Sequence, residues 1–271
     1  MGKRGFRPMV ARVALVKTND GVAPAYKHAL NLICGLGNLA SGSSFVTIKV
    51  GIYDPRNLNY PTTAVVKAVV DSFPSNRRIL LAESDNHQGS ALDRLRCWSE
   101  VFSERVSPFD LSHDSDTREV LICGEKLAFS HVLFKPNILV SLHVLREGTA
   151  GCIFKNLLGL VPDIEKERFH GKMGEALVDM AQAVGGIDLS VIDGTYCYGT
   201  EWKEGEPLER KRRDLLIVGR DPVAVEVIGC ILAGGDPLSV PQIAVAKQRR
   251  LGEADPARIE VLGEPIEDLL Q

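Results

Sequence analysis

The stretch Ile138-Leu-Val-Ser-Leu-His143-Val-Leu-Arg-Glu-Gly148-Thr-Ala-Gly-Cys-Ile-Phe-Lys155-Asn-Leu-Leu-Gly-Leu-Val-Pro162 joins two patterns, and their order decides the fold class. Ile138 to Leu142 is an apolar run of strand length, and Gly148-Thr149 behind it has the chemistry of a helix start. A strand is therefore expected to deliver His143 to its carboxyl end, where open α/β sheets bind ligands. From Ala150 onward, Ala150, Ile153, Phe154, Leu157 and Leu158 fall at the spacing of one buried helical face. A turn of about 100° per residue then places Cys152, Lys155, Asn156 and Gly159 on the opposite face. The expected helix N-terminus at Thr149 would add backbone donors and a dipole that favours an anion.

Strand, loop and capped helix recur on both sides of this stretch. Strands are expected at Val13 to Val16, Phe45 to Val50, Arg78 to Glu83, Leu189 to Gly194, Leu215 to Val218 and Ile259 to Leu262. Helices are expected from about Pro24 to Leu36, from a cap at Thr62-Thr63, from Ser90 to Phe102, from Lys172 to Val184, from the Asp221-Pro222 start, and from Pro241 to Arg249. Gly185-Gly186 should close the fourth of these. Phe109 to Ser130 looks like a hairpin excursion, and Tyr196 to Arg213 like a polar functional flap. This alternation predicts an α/β fold with a mainly parallel sheet and helices on both faces, in one domain over residues 1–271 that could be two-lobed.

Composition narrows the functional classes. A hydrophobic content of 45% over 271 residues is ample for a core. Thirty-two basic and 35 acidic residues leave a charge of -3, which gives no global field for nucleic acid or anionic lipid. No apolar run approaches the roughly 20 residues that cross a bilayer. The six cysteines contain no CxxC and match neither a zinc ribbon nor a ferredoxin-type cluster motif. A soluble cytoplasmic protein with reduced thiols is expected, with no nucleic-acid or membrane partner.

Three of the six histidines, His87, His143 and His170, stand where strand ends place sites, near Glu83, Asp85 and Asp193. Such residues can move protons or hold a metal if they converge. Lys155 is open to three roles: an anion-binding cation, a catalytic amine, or a solvated lysine on a helix. Gly35-Leu-Gly37-Asn-Leu-Ala40 fits a dinucleotide fingerprint but trails a helical pattern, which favours a helix C-cap.

Several pieces together resemble the domain of unknown function 362 family: Thr62-Thr-x-x-Val-Val-Lys-Ala-Val-Val70, Ala82-Glu83-Ser84, Phe154-Lys-Asn-Leu-Leu-Gly-Leu-Val-Pro162 with His170, Asp193-Gly194, and Asp221-Pro-Val-Ala-Val225. The resemblance implies a redox or cofactor setting, because members often carry a fused ferredoxin-like iron-sulfur domain; this chain lacks those cysteine runs, so a cluster of its own is not expected. Less closely, the order His87, His143, Lys155, His170 is similar to the amino-terminal domain of nickel-dependent lactate racemases. That likeness implies Lys155 as cofactor tether, His170 as nickel ligand, and His87 with His143 as an acid/base pair.

The leading expectation is an enzyme or cofactor-handling protein that binds a small anionic ligand or a metal-containing cofactor. His87, His143 and Lys155 are its expected catalytic groups, and Thr149, Lys155 and Asn156 its cofactor contacts. His170, Asp193 and Glu83 are the expected metal ligands. The rival is a non-catalytic accessory protein that docks an iron-sulfur partner through the Tyr196 to Arg213 segment.

Overall fold

A computed structural model describes residues 10–40, 45–148 and 151–270. Among these residues ten strands form: β1 (Ala11–Lys17), β2 (Phe45–Val50), β3 (Arg78–Glu83), β4 (Val106–Asp110), β5 (Thr117–Ile122), β6 (Glu125–Ser130), β7 (Ile138–Arg146), β8 (Leu189–Tyr198), β9 (Arg210–Gly219) and β10 (Ile259–Gly263). The α-helices are α1 (Val22–Leu32), α2 (Thr63–Asp71), α3 (Ala91–Leu95), α4 (Met173–Ala183), α5 (Pro222–Leu232) and α6 (Pro241–Gln248). Eight strands make one sheet in the order β10-β1-β9-β8-β7-β2-β3-β4, and β5 with β6 forms the separate hairpin. Every neighbouring pair in the large sheet is parallel except those of β9, which runs against both β1 and β8.

Alternation along the strands sorts side chains into two cores. Ala14 and Val16 face one core while Val13 and Leu15 face the other, as period 2 requires. Val46, Ile48, Ile79, Leu81, Val140 and Leu142 pack under α1 and α2. The second core gathers α4, α5, α6 and the segment from Cys152 to Val161. Helices therefore cover both faces, as mostly parallel sheets require.

The connections set where a ligand can approach. From β2 the chain crosses through α2 to β3, on one side; from β7 it crosses through α4 to β8, on the other. Progression reverses between the adjacent strands β2 and β7, so a crevice opens outside their carboxyl ends.

Three local expectations need correction. No α-helix runs through residues 151–160; Lys155–Leu160 forms a 3-10 helix instead. Gly151 sits at φ +73, in the left-handed region, and the buried Glu226 carboxylate accepts hydrogen bonds from the amides of Cys152 and Ile153 at 3.1 and 2.6 Å. The backbone is thereby bent inward, and it buries Cys152 and Asn156, which a regular amphipathic helix would have turned outward. The segment Tyr196 to Arg213 is not one loop. Strand β8 runs on to Tyr198 and β9 starts at Arg210, so their pairing reduces the flap to residues 199–209. Finally, α1 ends early, because Gly35 at φ +70 returns its N–H to Leu30 O at 2.6 Å. Gly35 thus closes a helix and does not join a strand to one, which removes the dinucleotide reading of Gly35 to Ala40.

Asp221 holds α5 to the end of the sheet. Its carboxylate accepts from Val223 N at 2.9 Å, Ala224 N at 3.1 Å and Glu253 N at 2.8 Å. Asp221→Ala is expected to lower unfolding stability by about 1–2 kcal/mol, seen as a lower urea midpoint at unchanged slope.

Candidate functional site

The crevice is floored by charges that ordinary packing would exclude. Lys49, inside β2, has no exposed surface, and its Nζ donates to Glu83 Oε1 at 2.6 Å, Asn156 Oδ1 at 3.0 Å and Val50 O at 3.1 Å. Asn156 answers from the 3-10 turn: its Nδ2 donates to Lys49 O at 2.7 Å, Ser141 Oγ at 3.0 Å and Leu142 O at 3.3 Å. One amide thus stitches that turn to both β2 and β7. Glu83 also accepts from Ser84 N at 2.7 Å and stands 3.8 Å from the buried Arg94 guanidinium. Burial pulls the Lys49 ammonium below the ordinary lysine range, and the Glu83 carboxylate pulls it back. Gly159 leaves the space these groups need, since a Cβ there would lie 2.6 Å from Lys49 Nζ.

His143 stands beside this floor, at the carboxyl end of β7. A Cβ on Gly51 would fall 2.1 Å from the imidazole Cδ2, so the ring occupies room that only glycine leaves. Its Nδ1 lies 2.7 Å from Val144 N, whose N–H it accepts, and 3.3 Å from Val144 O; the shorter contact favours the ring proton on Nε2. Burial, and then the cations Arg146 and Lys49, push its pKa down to about 3. His143 is therefore a neutral hydrogen-bond donor across the physiological range. That differs from the proton exchange expected of it, because an imidazole held neutral in this way keeps its one ring proton and takes up no second proton near pH 7.

Above lies a cavity of about 580 Å³, within the range of small-molecule sites. Arg146 and Lys155 line it, and among the described residues neither has a carboxylate within ion-pair reach. Among the described residues Lys155 Nζ has one hydrogen-bonding contact, the Met173 thioether, 3.9 Å away. Burial and the Arg146 charge bring Lys155 down to about 8, and burial lowers Arg146 as well. Lys166, also near 8 through burial, donates to Ser84 Oγ and Asp85 O, both at 2.6 Å. At the mouth, Tyr53 and Trp202 meet edge to face at 6.1 Å. The 199–209 flap that carries Trp202 is anchored by the buried Asn57, which bonds Trp202 Nε1, Lys203 O and Glu206 O.

The expected site residues fall into three groups. His87, His143, Lys155, Asn156, His170 and Glu83 all line the one cavity, His87 and His170 at its exposed rim. Thr149 lies outside the described residues. Asp193 lies elsewhere: its two oxygens accept from Thr62 N and Oγ1 at 2.7 and 2.8 Å and from Thr195 N and Oγ1 at 2.9 and 2.6 Å. That carboxylate ties the cap of α2 to β8 and has no lone pair directed at the cavity. His170, Asp193 and Glu83 consequently do not form a metal set. Among the described residues the groups of three with metal-ligand proximity are His87, Glu165 and Glu167, and Asp85, Asp110 and His113.

Sequence reasoning passed over Lys49, Arg146 and Lys166. Lys49 did leave a signal, being the one charge in the strand Phe45-Val-Thr-Ile-Lys-Val50. A charge that must be buried needs a partner, and an acid at the neighbouring strand's end was the place to look.

Residues 46–231 match the family described as domain of unknown function (DUF362), a span that takes in every residue lining the cavity. No curated protein matches the sequence. Among solved structures, the crystal structure of a protein from Thermotoga maritima is similar over 81% of this chain, at 10% identity and a TM-score of 0.43. The chain spans 60% of the length of that protein.

Two stability measurements test this electrostatic description. Lys49→Met takes from the buried Glu83 its 2.6 Å counter-charge and leaves it Arg94 at 3.8 Å, and should cost about 3 kcal/mol; Lys49→Met with Glu83→Leu should recover part of that loss. Lys155 has a folded pKa of about 8 against an ordinary 10.5. The unfolded chain therefore holds more protons between those pH values, and stability rises with pH across that window. Lys155→Met should be more stable than the native chain at pH 7 by roughly 1–3 kcal/mol, with the gap closing toward pH 10.5.

Proposed function

The chain belongs to the DUF362 family, and on that premise we propose that it is a small-molecule enzyme or cofactor-handling protein whose crevice takes a small organic anion. The anionic end lies against Arg146 and Lys155, and the apolar remainder lies under Tyr53 and Trp202. What supports this above all is the pair of half-dry cations without an acid partner among the described residues. Burying such charges unpaired is costly, and an incoming carboxylate or phosphate would neutralise them.

Further support comes from the donors around the pair. The Nε2–H of His143 is directed away from its own backbone bond and stays protonated at every physiological pH. Glu83, the acid on the cavity floor, is already matched by Lys49 and so does not repel an anion with a full free charge. The guanidinium can grip a planar carboxylate through two parallel bonds, while the ammonium acts as a point charge. The switch-point position adds a fold-level reason to expect a ligand there.

Calorimetric titration with pyruvate, oxalate, phosphate and their uncharged analogues tests the proposal. Binding is expected for at least one anion and not for its neutral analogue, weakened roughly tenfold or more by Arg146→Gln and by Lys155→Met, which corresponds to about 1.4 kcal/mol or more for each. Equal binding of neutral and charged analogues, or unchanged affinity in both variants, would overturn it.

A further inference from the structure

The three lysines of the crevice are not equivalent. Lys49 is saturated by Glu83, Asn156 and Val50 O, and Lys166 is held by Ser84 and Asp85 O. Among the described residues the one hydrogen-bonding contact of Lys155 Nζ is a thioether sulfur at 3.9 Å. An ammonium whose protons are engaged by fixed acceptors holds its nitrogen toward those acceptors and away from an incoming carbonyl. Lys155, with no acceptor oxygen in reach among the described residues and a second cation beside it in a dry wall, is brought down to about 8 and is then the free amine roughly a tenth of the time at pH 7 and half of it at pH 8. The same wall supplies Arg146 and the neutral His143 donor, both close enough for their charges and dipoles to act on one another.

We propose that Lys155 forms a covalent imine with a 2-oxo acid seated in this crevice. The carboxylate pairs with Arg146, which sets the adjacent carbonyl carbon toward Lys155 Nζ. The nitrogen lone pair adds to that carbon, the carbonyl oxygen takes up protons from nitrogen and from solvent at the mouth, and it departs as water. What remains is a protonated imine on Lys155, with no change in oxidation state. The Nε2–H of His143 is the neutral donor available to the carbonyl oxygen while it carries negative charge. Tyr53 and Trp202, at the mouth, would accept an apolar 3-substituent. In support, Lys155 is brought down to about 8, as expected of an amine desolvated next to a cation.

This inference rests on the anion-binding proposal, and the experiment separates the two. The full chain is incubated with pyruvate or phenylpyruvate, with and without borohydride, and examined by intact and peptide mass spectrometry. Binding of the same acids without reductant is followed by saturation-transfer NMR. The expected result is one reduced adduct per chain, mapped to Lys155, absent in Lys155→Arg and diminished in Arg146→Gln. Binding of the acids with no adduct overturns the imine and leaves the anion site standing. Absence of both overturns the imine and the anion site together. Adducts spread over surface lysines, or undiminished in Lys155→Arg, also overturn the imine.

Discussion

The contact on which the crevice depends is the buried bond between Lys49 Nζ and Glu83 Oε1, 2.6 Å long and shared with Asn156. It lies between adjacent strands of the sheet and reaches the 3-10 turn that carries Lys155. Removing water from two charges costs several kcal/mol each, and only a complete set of hydrogen bonds offsets that. Here the set is complete: three acceptors for Lys49, and for Glu83 its lysine, Ser84 N and the nearby Arg94. Because the partners come from β2, β3 and the turn after β7, the network fixes these elements relative to one another, as a purely apolar floor of adaptable side chains would not.

Consequences follow outward from that floor. Asn156 uses its whole amide to bind the turn to the sheet, so Lys155, the preceding residue, is aimed at the crevice by its neighbour's bonds. Glu226 acts on the same segment from the other side, by accepting Cys152 N and Ile153 N across Gly151. A Cβ on Gly151 would stand 2.0 Å from that carboxylate, so the approach requires glycine there. The site is thus built on two buried carboxylates that play supporting parts, while the cations with free bonding capacity, Arg146 and Lys155, face the space between. Preorganised charges of this kind act on a ligand without first having to reorganise.

Much of the architecture was legible because it rests on periodicity. β3 begins and ends where the apolar run does, and Thr62, Ser90 and Asp221 cap the helices their side-chain chemistry announces. The histidine and lysine expected over the strand ends do share one cavity with Asn156, because strand ends near a switch point converge. What could not be read were effects of distant partners. The helix expected from Ala150 yields to a carboxylate 74 residues away in sequence. Asp193 stands at a strand tip like a ligand, yet its oxygens are claimed by Thr62 and Thr195, a pairing that no local pattern reveals. The pairing of the end of β8 with the start of β9 was hidden because Arg210-Lys-Arg-Arg213 is largely solvated and shows no apolar alternation. No helix among the described residues is long and apolar enough to cross a membrane.

Among the described residues Arg146 and Lys155 have no carboxylate within ion-pair reach, and an anion between them would supply the missing charge. Anomalous diffraction from crystals of the protein grown in bromide examines that place without presuming a substrate. A bromide peak within hydrogen-bonding distance of both Arg146 and Lys155, and stronger than any at the surface, is the predicted result. Peaks confined to surface cations, with the crevice occupied by water alone, would contradict it.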